Sequence, residues 1–234
     1  MRFTQAELQQ FRDRTVPDLL PDPLRLLFVG INPSLWSAAT GAHFGRPGNR
    51  FYPALHRAGI TSHVIDASAG YPEEGLAELT ARGVGISNLV PRATARADEL
   101  TREDLDDARD RLDDVVRRHA PRAVAVLGIT AYRRAFAAPK ARLGEQVSPW
   151  EATRLFVAPN PSGLNAHASV DSLGRTTGRP PSPRGSTSPR GSTSAMVESA
   201  RAHPDRAIRT GGVSIAAPRP SSARVTHRWG YPPG

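Results

Sequence analysis

Four short apolar runs constrain this chain more than any other feature. Residues 24–29 (LRLLFV), 84–90 (VGISNLV), 123–127 (AVAVL) and 155–158 (LFVA) are each bounded by proline, glycine or charged residues. They are too short for self-standing helices and read as buried strands. Helical spacing fills the intervals between them. Strands alternating with helices predict a parallel sheet covered on both faces. The expected class is α/β, built as a three-layer α/β/α sandwich with a short, mostly parallel central sheet.

The helical intervals differ in strength. Leu8 and Phe11 mark a short amphipathic helix within 4–14, and Pro17, Pro21 and Pro23 then exclude regular structure. Asn49 is placed to cap a helix over 49–58 that stops at Gly59. A short helix is expected over 73–82 and another over 131–136, with 139–153 a loop or hairpin. The strongest pattern covers 101–119. Thr101 and Asp104 have capping-box spacing, acids crowd the first turns, and Arg117, Arg118 and His119 crowd the last. Leu105, Ala108, Leu112, Val115 and Val116 form its apolar stripe.

Two loops stand out because each follows a buried strand and opens on an Asn-Pro pair. Residues 30–48 read as one long loop beginning at Gly30-Ile31-Asn32-Pro33-Ser34. The second runs Asn160-Pro161-Ser162-Gly163-Leu164-Asn165. Open α/β sheets bind ligands beyond the carboxyl ends of their strands, where both loops belong. Asn-Pro is also a common turn pair, and Asn32 taken alone would read as a turn cap.

The two loops together carry a resemblance. Gly30-Ile31-Asn32-Pro33, followed by Thr40-Gly41, Phe44, Pro47 and Asn49-Arg50-Phe51, is similar to the signature of the mismatch-specific uracil/thymine DNA glycosylases. Residues 160–165 are similar to that family's second motif. The resemblance spans roughly residues 20–173. One position departs from it: Ser34 stands where the motif has glycine, and either crowds the pocket or adds a hydrogen bond.

The resemblance implies an α/β/α fold and a base-flipping hydrolase acting on double-stranded DNA that contains G·U or G·T mismatches. Asn32 would orient the attacking water. An amide is no strong general base, which suits activated or poorly paired bases. The Ile31 backbone, Phe44 and Asn88 would hold the flipped base, Phe44 by stacking. Pro161, Ser162, Gly163, Leu164 and Asn165 would enter the duplex and read the opposite base, with Leu164 as the apolar plug. Arg46, Arg50 and Arg92 are candidate phosphate contacts. The resemblance implies a monomer without metal or cofactor.

Composition removes several other classes. The absence of cysteine excludes disulfides and thiolate metal sites. The seven histidines lack ligand spacing, and no GxGxxG or GxxxxGK[ST] follows the first strand. The only lysine, Lys140, lies in a loop, as expected for hydrolysis without strand cleavage. Without a signal-peptide pattern or a membrane-length apolar run, a cytoplasmic protein is expected.

The net charge of +9 divides unevenly. Residues 1–173 hold 21 Lys and Arg against 20 Asp and Glu, while residues 174–234 hold 10 Arg against 2 acids. Basicity therefore belongs to the tail. Domain 1–173 is expected to carry the fold, its last helix cut short. Residues 174–234 lack Leu and Phe, repeat SPRGST at 182–187 and 188–193, and read as a disordered basic tail. A frameshift would produce such a break. Two other readings stay open at this level: a DNA-binding module of the same fold without catalysis, and an unrelated α/β domain that binds a small molecule.

Overall fold

The computed structural model describes residues 2–162. The boundary at 173, the tail, and Gly163, Leu164 and Asn165 of the second motif lie outside the described residues.

Five strands form one sheet: β1 (Leu26–Gly30), β2 (Val84–Asn88), β3 (Ala123–Leu127), β4 (Gly144–Gln146) and β5 (Arg154–Ala158), in the order β2-β1-β3-β5-β4. Pairing is parallel throughout the centre, with Leu26 opposite both Val84 and Ala123, and Val124 opposite Leu155. Only β4 runs antiparallel, as a hairpin on β5. An ion pair from Arg154 to Glu145 crosses that exposed edge at 2.8 Å.

Side-chain alternation along the strands sorts the core into two layers. Leu26, Phe28, Val84, Ile86, Ala125 and Phe156 face one side. There they meet Phe51, Tyr52 and Leu55 of α3 (Phe51–Arg57) and Leu79 of α4 (Glu73–Ala81). Leu27, Val29, Val124, Val126, Leu155 and Val157 face the other. They meet Leu105 of α5 (Glu103–Asp106), Leu112, Val115 and Val116 of α6 (Ala108–His119), and Ala131 and Tyr132 of α7 (Ile129–Ala135). The molecule is therefore a mixed α/β fold with helices on both sheet faces. Each fully buried Leu or Phe contributes about 1.5–3 kcal/mol by leaving water.

Two expectations need correction. Residues 30–48 are not all loop, because α2 (Leu35–Thr40) lies inside them. Leu35, Trp36 and Ser37 are buried, and the Trp36 indole donates to the Ser68 carbonyl at 3.0 Å. The helix over 101–119 is two helices that break at Asp107, whose ψ of −5° lies off the helical value. Five acids between Glu103 and Asp110 make this a weak place to continue a helix. The expected helix within 4–14 contracts to α1 (Gln5–Gln9), with a capping box between Thr4 and Glu7. Among the described residues no helix is long and apolar enough to cross a membrane.

Candidate active site

Parallel strands end on one side of the sheet, and β1, β2 and β5 bring three segments together there. They surround a cavity of about 120 Å³ lined by Ile31, Asn32, Ser34, Ser37, His43, Phe44, Arg46, Asn88, Thr94, Asn160 and Ser162, among others. Backbone pairing continues past β1: the carbonyls of Gly30 and Ile31 accept from Leu89 and Val90 at 2.9 Å, and Thr94 N–H donates to the Pro33 carbonyl at 3.2 Å. The segment 30–34 is thus held against 89–94 as well as by its own turn.

Asn32 is oriented by acceptors. Its Nδ2 donates to the carbonyls of Pro33 and Arg92, each at 3.2 Å, and to Thr94 Oγ1 at 2.8 Å. Thr94 in turn donates its hydroxyl hydrogen to the Arg96 carbonyl at 2.7 Å. Backbone carbonyls only accept, so the amide cannot be reversed without setting oxygen against oxygen. This leaves Oδ1 without a hydrogen bond among the described residues, on a side chain that lines the cavity. The site therefore presents a rigid neutral acceptor.

Asn88 is oriented by a second chain of bonds. His43 is buried, and its Nε2 lies 2.9 Å from the Pro17 carbonyl. Nε2 must carry the proton, which makes Nδ1 of the neutral ring an acceptor. Asn88 Nδ2, 3.0 Å away, then donates to it. Burial holds the His43 pKa below the ordinary imidazole value, opposed by the Pro17 hydrogen bond and by Asp18. The Asn88 oxygen lies over Gly30, where an added Cβ would come within 2.4 Å of it.

Acidification tests this chain. Unfolded His43 takes up its proton near pH 6.5, whereas the folded form resists. The unfolded state then binds more protons, so stability falls as pH drops below about 6.5 until the folded pKa is reached. A protonated ring would also donate from Nδ1 and force the Asn88 amide to turn over. The expected results are thermal unfolding that weakens from pH 7 to 5 in the parent protein, and a flatter profile in His43→Gln.

Two phenols hold the backbone of His43. Its N–H donates to Tyr71 Oη at 3.2 Å, and Tyr52 Oη donates to its carbonyl at 2.8 Å. Burial raises the pKa of both tyrosines. The next residue, Phe44, adopts a left-handed φ of 56°, uncommon for a bulky residue. Its ring lies 4.3 Å from that of Phe51, tilted by 31°.

The structure brings Ile31, Asn32, Phe44, Arg46, Asn88 and Ser162 together at this cavity. Pro161 is buried beside it and accepts from Arg50 N–H at 2.9 Å. Asn160 Oδ1 accepts from Ser162 N–H at 3.0 Å, which closes the start of the second motif as a turn. Arg46 is exposed at the rim. Ser34 caps α2 by accepting Ser37 N–H at 3.1 Å, so its departure from glycine supplies a hydrogen bond.

Arg92 requires correction as a phosphate contact. Its guanidinium is held bidentately by Asp104, at 2.7 and 2.5 Å, and by Asp13 at 2.9 Å. Hydrogen bonds from Arg92 hold the Asp104 pKa far below the carboxylate range. What Arg92 offers the site is its backbone carbonyl. Asp104→Asn is expected to cost about 1 kcal/mol at neutral pH, reduced by the partial exposure of the pair. Because the folded pKa is depressed, that stability is present above about pH 4 and is lost on acidification. Chemical denaturation at pH 7 and pH 3 checks both points.

His43, Thr94, Ser37 and the two tyrosines were not singled out as site residues from sequence. Among the described residues no three His, Asp or Glu side chains converge to hold a metal ion.

A model of the uracil DNA glycosylase superfamily matches residues 17–176. The chain belongs to that superfamily. All three segments around the cavity lie inside the match, so the cavity falls within the superfamily domain, and an unrelated ligand-binding domain is set aside. A solution structure of a candidate uracil DNA glycosylase from Methanosarcina acetivorans is also similar, at 20% identity and a TM-score of 0.47, covering 70% of this superfamily member and 92% of that chain.

Proposed function

We propose that this protein is a monofunctional DNA glycosylase that removes uracil, and also thymine or an alkylated cytosine, opposite guanine. The observation that carries the reading is the fixed amide of Asn32, which lines a cavity of about 120 Å³ and leaves its oxygen without a hydrogen bond among the described residues. A nucleotide extruded from duplex DNA would place its base in that cavity. Asn32 Oδ1 then accepts a hydrogen bond from a water and holds it at the sugar carbon. The water oxygen bonds to that carbon, the N-glycosidic bond breaks, and its electron pair leaves with the base. The water's surplus proton ends on the departed base or in solvent, and the product is an abasic site.

Recognition follows from the other groups. The oxygen of Asn88 accepts the N3–H of uracil or thymine; an alkylated cytosine, which lacks that hydrogen, would be held by stacking instead. Phe44 stacks on the base. Arg46 and Arg50 would contact phosphates, and the motif that begins at Asn160 would meet the opposite strand. The protein would act as a monomer on double-stranded DNA.

Single-turnover assays on G·U, A·U, G·T and G·C duplexes test this reading. Release from G·U that exceeds release from A·U is expected. No release from any duplex would end the enzymatic reading, and equal rates on G·U and A·U would end the mismatch preference.

A further inference from the structure

Ser34 and Ser37 share more than a helix cap. Their hydroxyl oxygens lie 3.1 Å apart, and both residues line the cavity. Ser34 Oγ also accepts the Ser37 N–H at 3.1 Å. Ser37 is only 2% exposed, so its hydroxyl has little access to bulk water. Two hydroxyls carry two hydrogens, and their mutual bond uses one. Neither oxygen has another acceptor among the described residues. Whichever serine donates the mutual bond, one O–H is left over on the cavity wall. Other hydroxyls nearby are engaged: Thr94 donates to the Arg96 carbonyl and Thr40 to the Trp36 carbonyl. The amide NH2 of Asn32 is likewise held inside the protein.

We infer that the Ser34–Ser37 pair donates a hydrogen bond to a carbonyl oxygen of the departing pyrimidine. The inference rests on the glycosylase reading above. As the N-glycosidic bond breaks, its electron pair spreads onto the carbonyl oxygens of the base. A donor aimed at an oxygen that gains charge is stronger in the transition state than in the ground state, which is the condition for acceleration. The pair is neutral, so it holds a neutral base without a charge to desolvate. The glycine usual at position 34 would remove the pair and the side-chain hydrogen bond of the cap, at little cost to the helix.

The arrangement predicts redundancy. Ser34→Gly keeps most of the capping strength and leaves Ser37 with an unengaged hydroxyl hydrogen. Ser37→Ala leaves Ser34 with one. Only the double variant removes the donor. The experiment uses the full chain in single turnover on two duplexes, one with uracil and one with 5-fluorouracil opposite guanine. Fluorine stabilises the departing anion and lessens the need for a donor. Each single variant is expected to lose less than about tenfold on uracil. The double variant is expected to lose about a hundredfold on uracil and clearly less on 5-fluorouracil.

Equal losses on the two bases in the double variant would overturn the inference. So would a Ser34→Gly loss as large as that of the double variant, which would assign the effect to the cap. Thermal unfolding of each variant reports the cap separately. If the intact chain releases neither base, it is the glycosylase reading that fails. An active parent with indifferent variants refutes the donor assignment alone.

Discussion

Asn32→Ala will slow single-turnover uracil release from a G·U duplex by about 10²- to 10⁴-fold, the range expected when the group that positions a reacting water is removed. The size of the effect follows from how the amide is held. Three acceptors fix its NH2 end at 2.8–3.2 Å, so the oxygen meets the water without further ordering when the substrate binds. Truncation removes the acceptor and leaves the Pro33 and Arg92 carbonyls facing a small gap that water can enter. Duplex binding, measured by anisotropy, should change little, because the lost contact is to the water rather than the DNA. A variant that releases uracil at the parental rate would remove Asn32 from the mechanism.

Gly30→Ala should damage the site from beneath. A Cβ there would lie 2.4 Å from Asn88 Oδ1 and 3.0 Å from Phe44 Cζ. Neither neighbour can yield easily. The Asn88 amide is tied to His43, and the Phe44 ring lies against Phe51. Overpacking of this kind costs about 1–3 kcal/mol, which a two-layer core of this size should survive. The functional cost falls on holding the base, so the duplex concentration giving half-maximal release should rise more than tenfold. Thermal unfolding and the concentration dependence of release separate the two effects. An unfolded variant would show that the strand depends on Gly30 more than the pocket does, and an unaffected half-maximal concentration would contradict the placement of Asn88 and Phe44 on the base.

The strands were legible because burial on both faces leaves a compositional trace. AVAVL has no polar face to offer solvent, and every residue of β3 is buried. The Asn-Pro loops were legible because each follows such a run. Other features depend on partners distant in sequence. His43 reads as a lone loop histidine until Pro17 and Asn88 close on its two nitrogens. Arg92 reads as a free cation near the site until Asp104 and Asp13 engage it. The helix at Leu35–Thr40 is short and lies between proline and glycine, so local punctuation outweighs its periodicity. Its cap was visible in the sequence as Ser34, which drew notice only as a departure from glycine. The break at Asp107 interrupts a pattern whose cap and stripe both continue across it.

The order of the strands has a consequence for how the protein comes to exist. The cavity draws on residues near 32, 43, 88, 94 and 160, and β1, which carries the first of them, is flanked by β2 and β3. Leu26 must wait for Ala123 to be synthesised, and the segment at Asn160 closes the cavity only once β5 has docked on β3. Such long-range pairing forms late and as a unit. A nascent chain halted anywhere before β5 would lack one wall of the pocket and could not engage a lesion. Competence to act on DNA therefore arrives in one step, with the completed sheet.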